Sequence, residues 1–183
     1  MNLSTLLARH ARYRPDRLAV IYEDQRLTYR AFNQRVNRIA NALLELGLKK
    51  GDKVATILSN SLELLELYWA VAKTGMVIVP LTPLLQGQGL TTLLNDSDAA
   101  AVVTHSSFMP TLEPERALLP AIQHIILIDT RQPGCLYYHD LNATASPNEP
   151  PTANISDDDP YNIIYSSGTT GLPKGIVLTH GIR

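Results

Sequence analysis

The sequence predicts an α/β fold, a parallel-rich sheet flanked by helices on both faces. Three observations predict it. Strand-like and helix-like segments alternate from Lys53 to Asp129. The strand segments are short and run apolar through their middles (KVATIL, MVIVPL, AAVVTH, HIILID), which suits strands covered on both sides. Finally, 45% of the 183 residues are apolar, enough for a packed core rather than a disordered chain.

Taken in order, LSTLLARHARY (3–13) reads as a short helix ended by Pro15. LAVIY (18–22) and LTY (27–29) read as a small hairpin. Thr28 caps a helix from Tyr29 to Leu46, with Phe32, Val36, Ile39, Leu43 and Leu46 at helical spacing and Gly47 as the stop. After the strand KVATIL (53–58), Asn60 with Glu63 predicts a capped helix over 61–73. Its Leu62, Leu64, Leu65, Leu67, Trp69 and Val71 lie nearly all round, so it is expected to be buried on more than one face, with Tyr68 and Trp69 as core aromatics. Gly75 ends it, and MVIVPL (76–81) is the next strand. A helix over 88–95, a strand AAVVTH (100–105), a weakly helical stretch (106–119) and a strand HIILID (124–129) follow. His105 and His124 fall at strand ends.

Composition shifts after residue 130. Pro133, Gly134, Pro147, Pro150, Pro151 and Pro160 punctuate a polar stretch, read as one long connection. YNIIYSS (161–167) and GIVLTH (175–180) then read as two strands flanking a glycine-rich loop. The chain divides accordingly into an α/β subdomain over 1–130, a connection over 131–160, and the start of a further sheet over 161–183.

Bulk properties exclude several classes. Lys and Arg number 16 against 17 Asp and Glu, so no nucleic-acid surface or polybasic membrane patch is indicated. Cys135 is the one cysteine, which fits a reducing compartment. No run reaches the ~18 apolar residues of a membrane span, and no apolar leader segment precedes a cleavage site. Arg9, Arg12 and Arg14 precede the first acid, Asp16, as in an organelle transit peptide, but Asp16, Glu23 and Asp24 soon follow, so the segment reads as an ordinary surface helix and a cytoplasmic protein is expected.

The chemistry concentrates in YSSGTTGLPKG, Tyr165 to Gly175. Gly168, Gly171 and Gly175 let a backbone turn tightly and bring amides to an anion. Ser166, Ser167, Thr169 and Thr170 supply hydroxyl donors, Lys174 a point charge, and Pro173 fixes one φ. A plain hairpin turn needs two to five residues and far fewer donors. The segment is therefore read as a phosphate-binding loop. It is not a Walker A loop, because Lys174 runs into Gly175, Ile176 and Val177, which favour a strand over a helix.

This eleven-residue stretch resembles the AMP-binding signature of the adenylate-forming enzymes, which include acyl-CoA synthetases, aryl-CoA ligases, luciferases and peptide-synthetase adenylation domains. Residues 27–81, LTYRAFNQ through MVIVPL, are similar to the same family's N-terminal region. The resemblance covers most of residues 10–180. It departs from the family at Thr82-Pro83-Leu84, where Asn-Pro-Arg is frequent, and at His180-Gly181-Ile182, where His-x-Asn is usual. It implies the N-terminal subdomain of such an enzyme's large domain and a two-step reaction. A carboxylate attacks the α-phosphate of ATP and pyrophosphate leaves; the acyl group then passes to a thiol such as coenzyme A. It assigns Ser166, Ser167, Gly168, Thr169, Thr170, Gly171, Lys174 and Gly175 to the β- and γ-phosphates, with Mg²⁺ sharing the charge. Fatty acid metabolism is the expected setting, and Thr169-Thr170 leans toward acyl-CoA ligases. The adenine, ribose, hinge and catalytic-lysine motifs of such enzymes are not among these residues, so no catalytic residue is assigned. The isolated chain is expected to be inactive and prone to self-association. The alternative is a non-catalytic module with the same fold that binds nucleotide or a partner.

Other motifs have plainer readings. Gly87-Gln-Gly89 lacks the third glycine of a dinucleotide fingerprint and reads as a loop opening a helix. The five histidines show no metal-ligand spacing. Asp157-Asp158-Asp159 reads as a solvated run before Pro160.

Overall fold

The computed structural model describes residues 3–85, 87–166 and 173–182. A 3₁₀ turn at Leu3–Thr5 leads into α1 (Leu6–Tyr13), then the antiparallel hairpin β1 (Leu18–Tyr22) and β2 (Gln25–Thr28). Helix α2 (Tyr29–Glu45) begins as expected: Thr28 Oγ1 accepts a hydrogen bond from Ala31 N at 3.2 Å. Strand β3 (Lys53–Ile57), helix α3 (Leu62–Thr74), strand β4 (Val77–Leu81), helix α4 (Gly87–Asp96) and strand β5 (Ala99–Thr104) follow, then the short helix α5 (Met109–Leu112) and β6 (His124–Leu127). The cap of α3 differs from expectation. Ser61, not Asn60, accepts from the Leu64 amide at 3.2 Å, while the Asn60 carbonyl accepts from the Tyr22 hydroxyl at 3.0 Å.

The predicted long connection contains two elements that the sequence reading missed, β7 (Leu136–Tyr137) and α6 (Tyr138–Thr144). Beyond them come β8 (Pro160–Ser166) and β9 (Lys174–Thr179). The hairpin expected to open a further sheet instead extends the existing one. Seven strands lie in the order β7-β6-β5-β3-β4-β8-β9, with β8 parallel to β4 and only β9 antiparallel to its neighbour.

Strand pleating sorts the core into two layers. Val54, Ile78, Ala101, Val103 and Ile126 face the layer that contains Val36, Ile39 and Leu43 of α2, Leu67 and Val71 of α3, and Tyr138 of α6. Ala55, Ile57, Val79, Leu81, Val102 and Leu127 face Leu90, Leu93 and Leu94 of α4 with Met109 and Leu112 of α5. Both faces of the sheet are thus covered, as continuously apolar strands require. Tyr68 and Trp69 pack against the first layer only partly buried. Ile176 and Val177 lie on the edge strand β9 and are about half exposed.

Two polar clusters tie the helices together. Arg35 of α2 donates to Glu66 of α3, and the Tyr138 hydroxyl donates to the other Glu66 oxygen at 2.7 Å. Asn33, Asn37 and Asn41 recur every fourth residue on α2 and so share one face. Asn41 donates to the carbonyls of Ser146 and Asn148, and Asn37 to that of Pro147. Lys73 donates to Asn33 Oδ1 at 2.7 Å, Asn37 Oδ1 at 2.6 Å and Glu149 Oε2 at 2.5 Å. Burial pushes the Lys73 ammonium below its ordinary range, against the pull of Glu149. For Glu149 the balance runs the other way: burial opposes its charge, but bonds from Asn33 and Lys73 hold its carboxyl low. This clasp holds residues 146–149 against α2. Gly75 continues the path: it ends α3 with φ +72°, and a Cβ there would stand 3.0 Å from Lys50 Cγ and 3.2 Å from Ile155 Cγ1. The chain returning toward β8 is therefore anchored along its length.

Candidate functional site

β4 and β8 are neighbours whose onward connections part. The chain leaves β4 through α4 toward β5, on the far side of β3, while β8 leads toward β9. In open α/β sheets the crevice outside the carboxyl ends, at such a parting, is where ligands bind. The predicted phosphate loop begins there.

Of the eight site residues read from the sequence, Ser166, Lys174 and Gly175 are described. Ser167, Gly168, Thr169, Thr170 and Gly171 lie outside the described residues. Ser166 ends β8 and Lys174 opens β9, and they face each other across the last rung, with Tyr165 opposite Gly175 on the next. Ser166, Pro173 and Lys174 are exposed, so a hydroxyl and an ammonium stand side by side at the sheet's carboxyl edge. Gly175 is favoured by close approach: a Cβ would lie 3.0 Å from Ile163 Cγ2 and 3.3 Å from the Tyr165 ring, so either neighbour would have to shift. The antiparallel return of β9 confirms that Lys174 enters a strand, not a helix.

Tyr165 links this edge to α4. Its hydroxyl donates to Asp96 Oδ2 at 2.5 Å. Burial, then the Asp96 hydrogen bond and charge, push the phenol well above its ordinary range. Beside the ring lies a cavity of about 310 Å³ lined by Leu81, Thr82, Leu85, Leu93 and Pro173. The Thr82-Pro83-Leu84 segment is a turn here, with Thr82 Oγ1 accepting from Leu84 N at 3.3 Å and the Leu84 side chain 89% exposed. A larger, open cleft of about 830 Å³ lies between α1, α2 and residues 147–149, at the clasp rather than at the hairpin.

The plainer motifs settle in place. Gly87 opens α4 with φ +54°. Asp159 pairs with Lys50 at 2.6 Å and accepts from Ser156 N at 2.7 Å. Among the described residues no group of three or more His, Cys, Asp or Glu side chains is placed to hold a metal, and no helix is long and apolar enough to cross a membrane.

His180 follows β9 and is 1% exposed, its ring 5.2 Å from that of Tyr161. Neither ring nitrogen has a hydrogen-bond partner among the described residues. Burial lowers its pKa, against the charges of Asp159 and Asp157. A depressed histidine favours the neutral folded form, so its contribution is present above the unfolded value of about 6.5 and is lost as pH falls through the folded value. Denaturant midpoints at pH 7.5 and pH 5.0 are therefore expected to differ more in the wild type than in His180→Phe. Equal acid losses in the two proteins would refute this account of His180.

With the fold and hairpin in view, comparison with known proteins defines the class. The AMP-binding enzyme family matches residues 7–182, and the chain belongs to that family. Among curated relatives it is similar to crotonobetaine/carnitine–CoA ligase of Salmonella typhi, at 33% identity over 174 residues, covering 90% of this chain and 34% of that protein. Among solved structures it is similar to the anthranilate CoA ligase AuaEII in complex with anthranoyl-AMP, with TM-score 0.91, 29% identity, and coverage of 98% of this chain and 35% of that one. It is also similar to a fatty acyl CoA synthetase of Mycobacterium tuberculosis, with TM-score 0.85, 30% identity, and coverage of 98% and 34%. The chain thus spans about a third of the length of the curated relatives it matches.

Proposed function

We propose that residues 166–175 grip the β- and γ-phosphates of ATP in an ATP-dependent acid–thiol ligase, in which this chain supplies the N-terminal part of the large domain. The observation that carries this reading is the pairing of exposed Ser166 with exposed Lys174 at the sheet's carboxyl edge, flanking the donor-rich stretch between them. Similarity to CoA ligases, one of them bound to an acyl-adenylate, supports the same chemistry.

In this reading a carboxylate oxygen bonds to the α-phosphorus as the bond to the β-phosphate oxygen breaks. The departing pyrophosphate carries the charge, and Lys174 with the Ser and Thr hydroxyls stabilises it through preorganised donors. The same donors hold ATP before reaction, so they serve binding as well as rate. The acyl group then passes from AMP to a thiol such as coenzyme A. Mg²⁺, when bound, would neutralise part of the same phosphate charge.

ATP–pyrophosphate exchange tests the proposal. The full-length protein carrying this segment is expected to exchange with a suitable carboxylic acid, and residues 1–183 alone are expected not to. No exchange across short, medium, long and aromatic acids would count against a ligase and favour a non-catalytic module; exchange by residues 1–183 alone would refute the need for further residues.

A further inference from the structure

We infer that Tyr165 is a positioning residue for the phosphate grip, held in place by Asp96 of α4; this rests on the function proposed above. Three observations on different elements converge on it. First, the Tyr165 hydroxyl donates to Asp96 Oδ2 at 2.5 Å across 69 residues of sequence, joining the sheet edge to the end of α4. Second, Asp96 is the last residue of α4, where a carboxylate faces the negative end of the helix dipole. The acid is unfavourable there for the helix itself, and the hydrogen bond to Tyr165 gives it a purpose. Third, the Tyr165 ring lies over Gly175, its rung partner, so closely that a Cβ at 175 would stand 3.3 Å from Cε1.

The ring is thus fixed from two sides, by the carboxylate at its tip and by the bare glycine beneath it. Tyr165 precedes Ser166 in the chain, and Gly175 follows Lys174. Fixing the Tyr165–Gly175 rung therefore fixes the next rung, where the hydroxyl of Ser166 and the ammonium of Lys174 stand. Without Asp96 the ring has somewhere to go: the cavity of about 310 Å³ beside it, bounded by Leu81, Leu85 and Pro173. A ring turned into that space would release the rung and displace both phosphate donors. A displacement of about 1 Å in a positioning group is enough to cost rate.

The test combines kinetics with a spectroscopic signature in the full-length protein. Tyr165→Phe and Asp96→Ala are each expected to raise KM for ATP about tenfold while KM for the carboxylic acid stays in place. The double variant should be no worse than either single, because both remove one interaction. Asp96→Asn, which keeps an acceptor, should recover most of the loss. In parallel, phenolate absorbance in alkaline titration of the wild type, minus that of Tyr165→Phe, should show one tyrosine that resists ionisation, with Asp96 and Asp98 as the carboxylates acting on it. Asp96→Ala should bring it back among the others. An unchanged KM for ATP in Tyr165→Phe, equal rises for both substrates, or a Tyr165 that ionises with the other tyrosines in the wild type would each overturn the inference. Exchange activity with an unmoved KM sinks this inference alone; absence of exchange in the wild type sinks the proposed function, and this inference with it.

Discussion

Replacing Arg35 with Ala is expected to lower the unfolding free energy by about 3 kcal/mol, the cost of stranding a buried charge. Glu66 has no exposed side-chain surface, and Arg35 and Tyr138 are its hydrogen-bond donors. Burial already raises its pKa against the pull of Arg35, so removing the guanidinium raises it further. A carboxyl raised in the folded state contributes stability below its unfolded value of about 4.3 and loses it as pH rises through the folded value. The deficit of Arg35→Ala should therefore be larger at pH 8 than at pH 5. Urea midpoints with an unchanged denaturant slope would report it. Adding Glu66→Leu should restore part of the loss, because the double variant buries no charge. A deficit under about 1 kcal/mol at pH 8 would mean that the pair behaves like a surface salt bridge.

Lys174→Ala in the full-length protein is expected to reduce kcat/KM for ATP roughly a hundredfold, the scale of losing one preorganised charged donor to the phosphates. Lys174 opens an exposed edge strand beside Ser166, so removing its charge leaves no packing defect that would unfold the sheet. The thermal midpoint should stay near that of the wild type. A matching loss of stability would attribute the kinetic effect to the fold instead.

Local signals reached the long elements. Thr28, the periodic Phe32, Val36, Ile39 and Leu43, and a length of 17 residues made α2 readable, because cap and apolar stripe agree. The strands from β3 to β6 were readable because both faces are covered and, apart from Lys53 and His124 at the starts of β3 and β6, every residue is apolar or small. β7 and α6 were not, since two residues and seven residues carry little pattern of their own. Their anchor is Tyr138, whose hydroxyl reaches Glu66 across 72 residues of sequence. Nothing in the local sequence of α2 marks its asparagines for burial; they are buried because residues 146–149 fold back over them. At the candidate site, the two strands that flank the loop were legible from their apolar runs. The Tyr165–Asp96 bond was not, because nothing local to either residue announces a partner so distant in sequence.

The central claim, that residues 166–175 hold the β- and γ-phosphates, is tested most directly by comparing ATP and AMP binding in the full-length protein, wild type against Lys174→Ala. AMP lacks the two phosphates that Lys174 would touch. Calorimetric titration is predicted to show ATP affinity falling at least tenfold in the variant while AMP affinity stays unchanged. Equal losses for the two nucleotides, or no loss for either, would contradict the assignment.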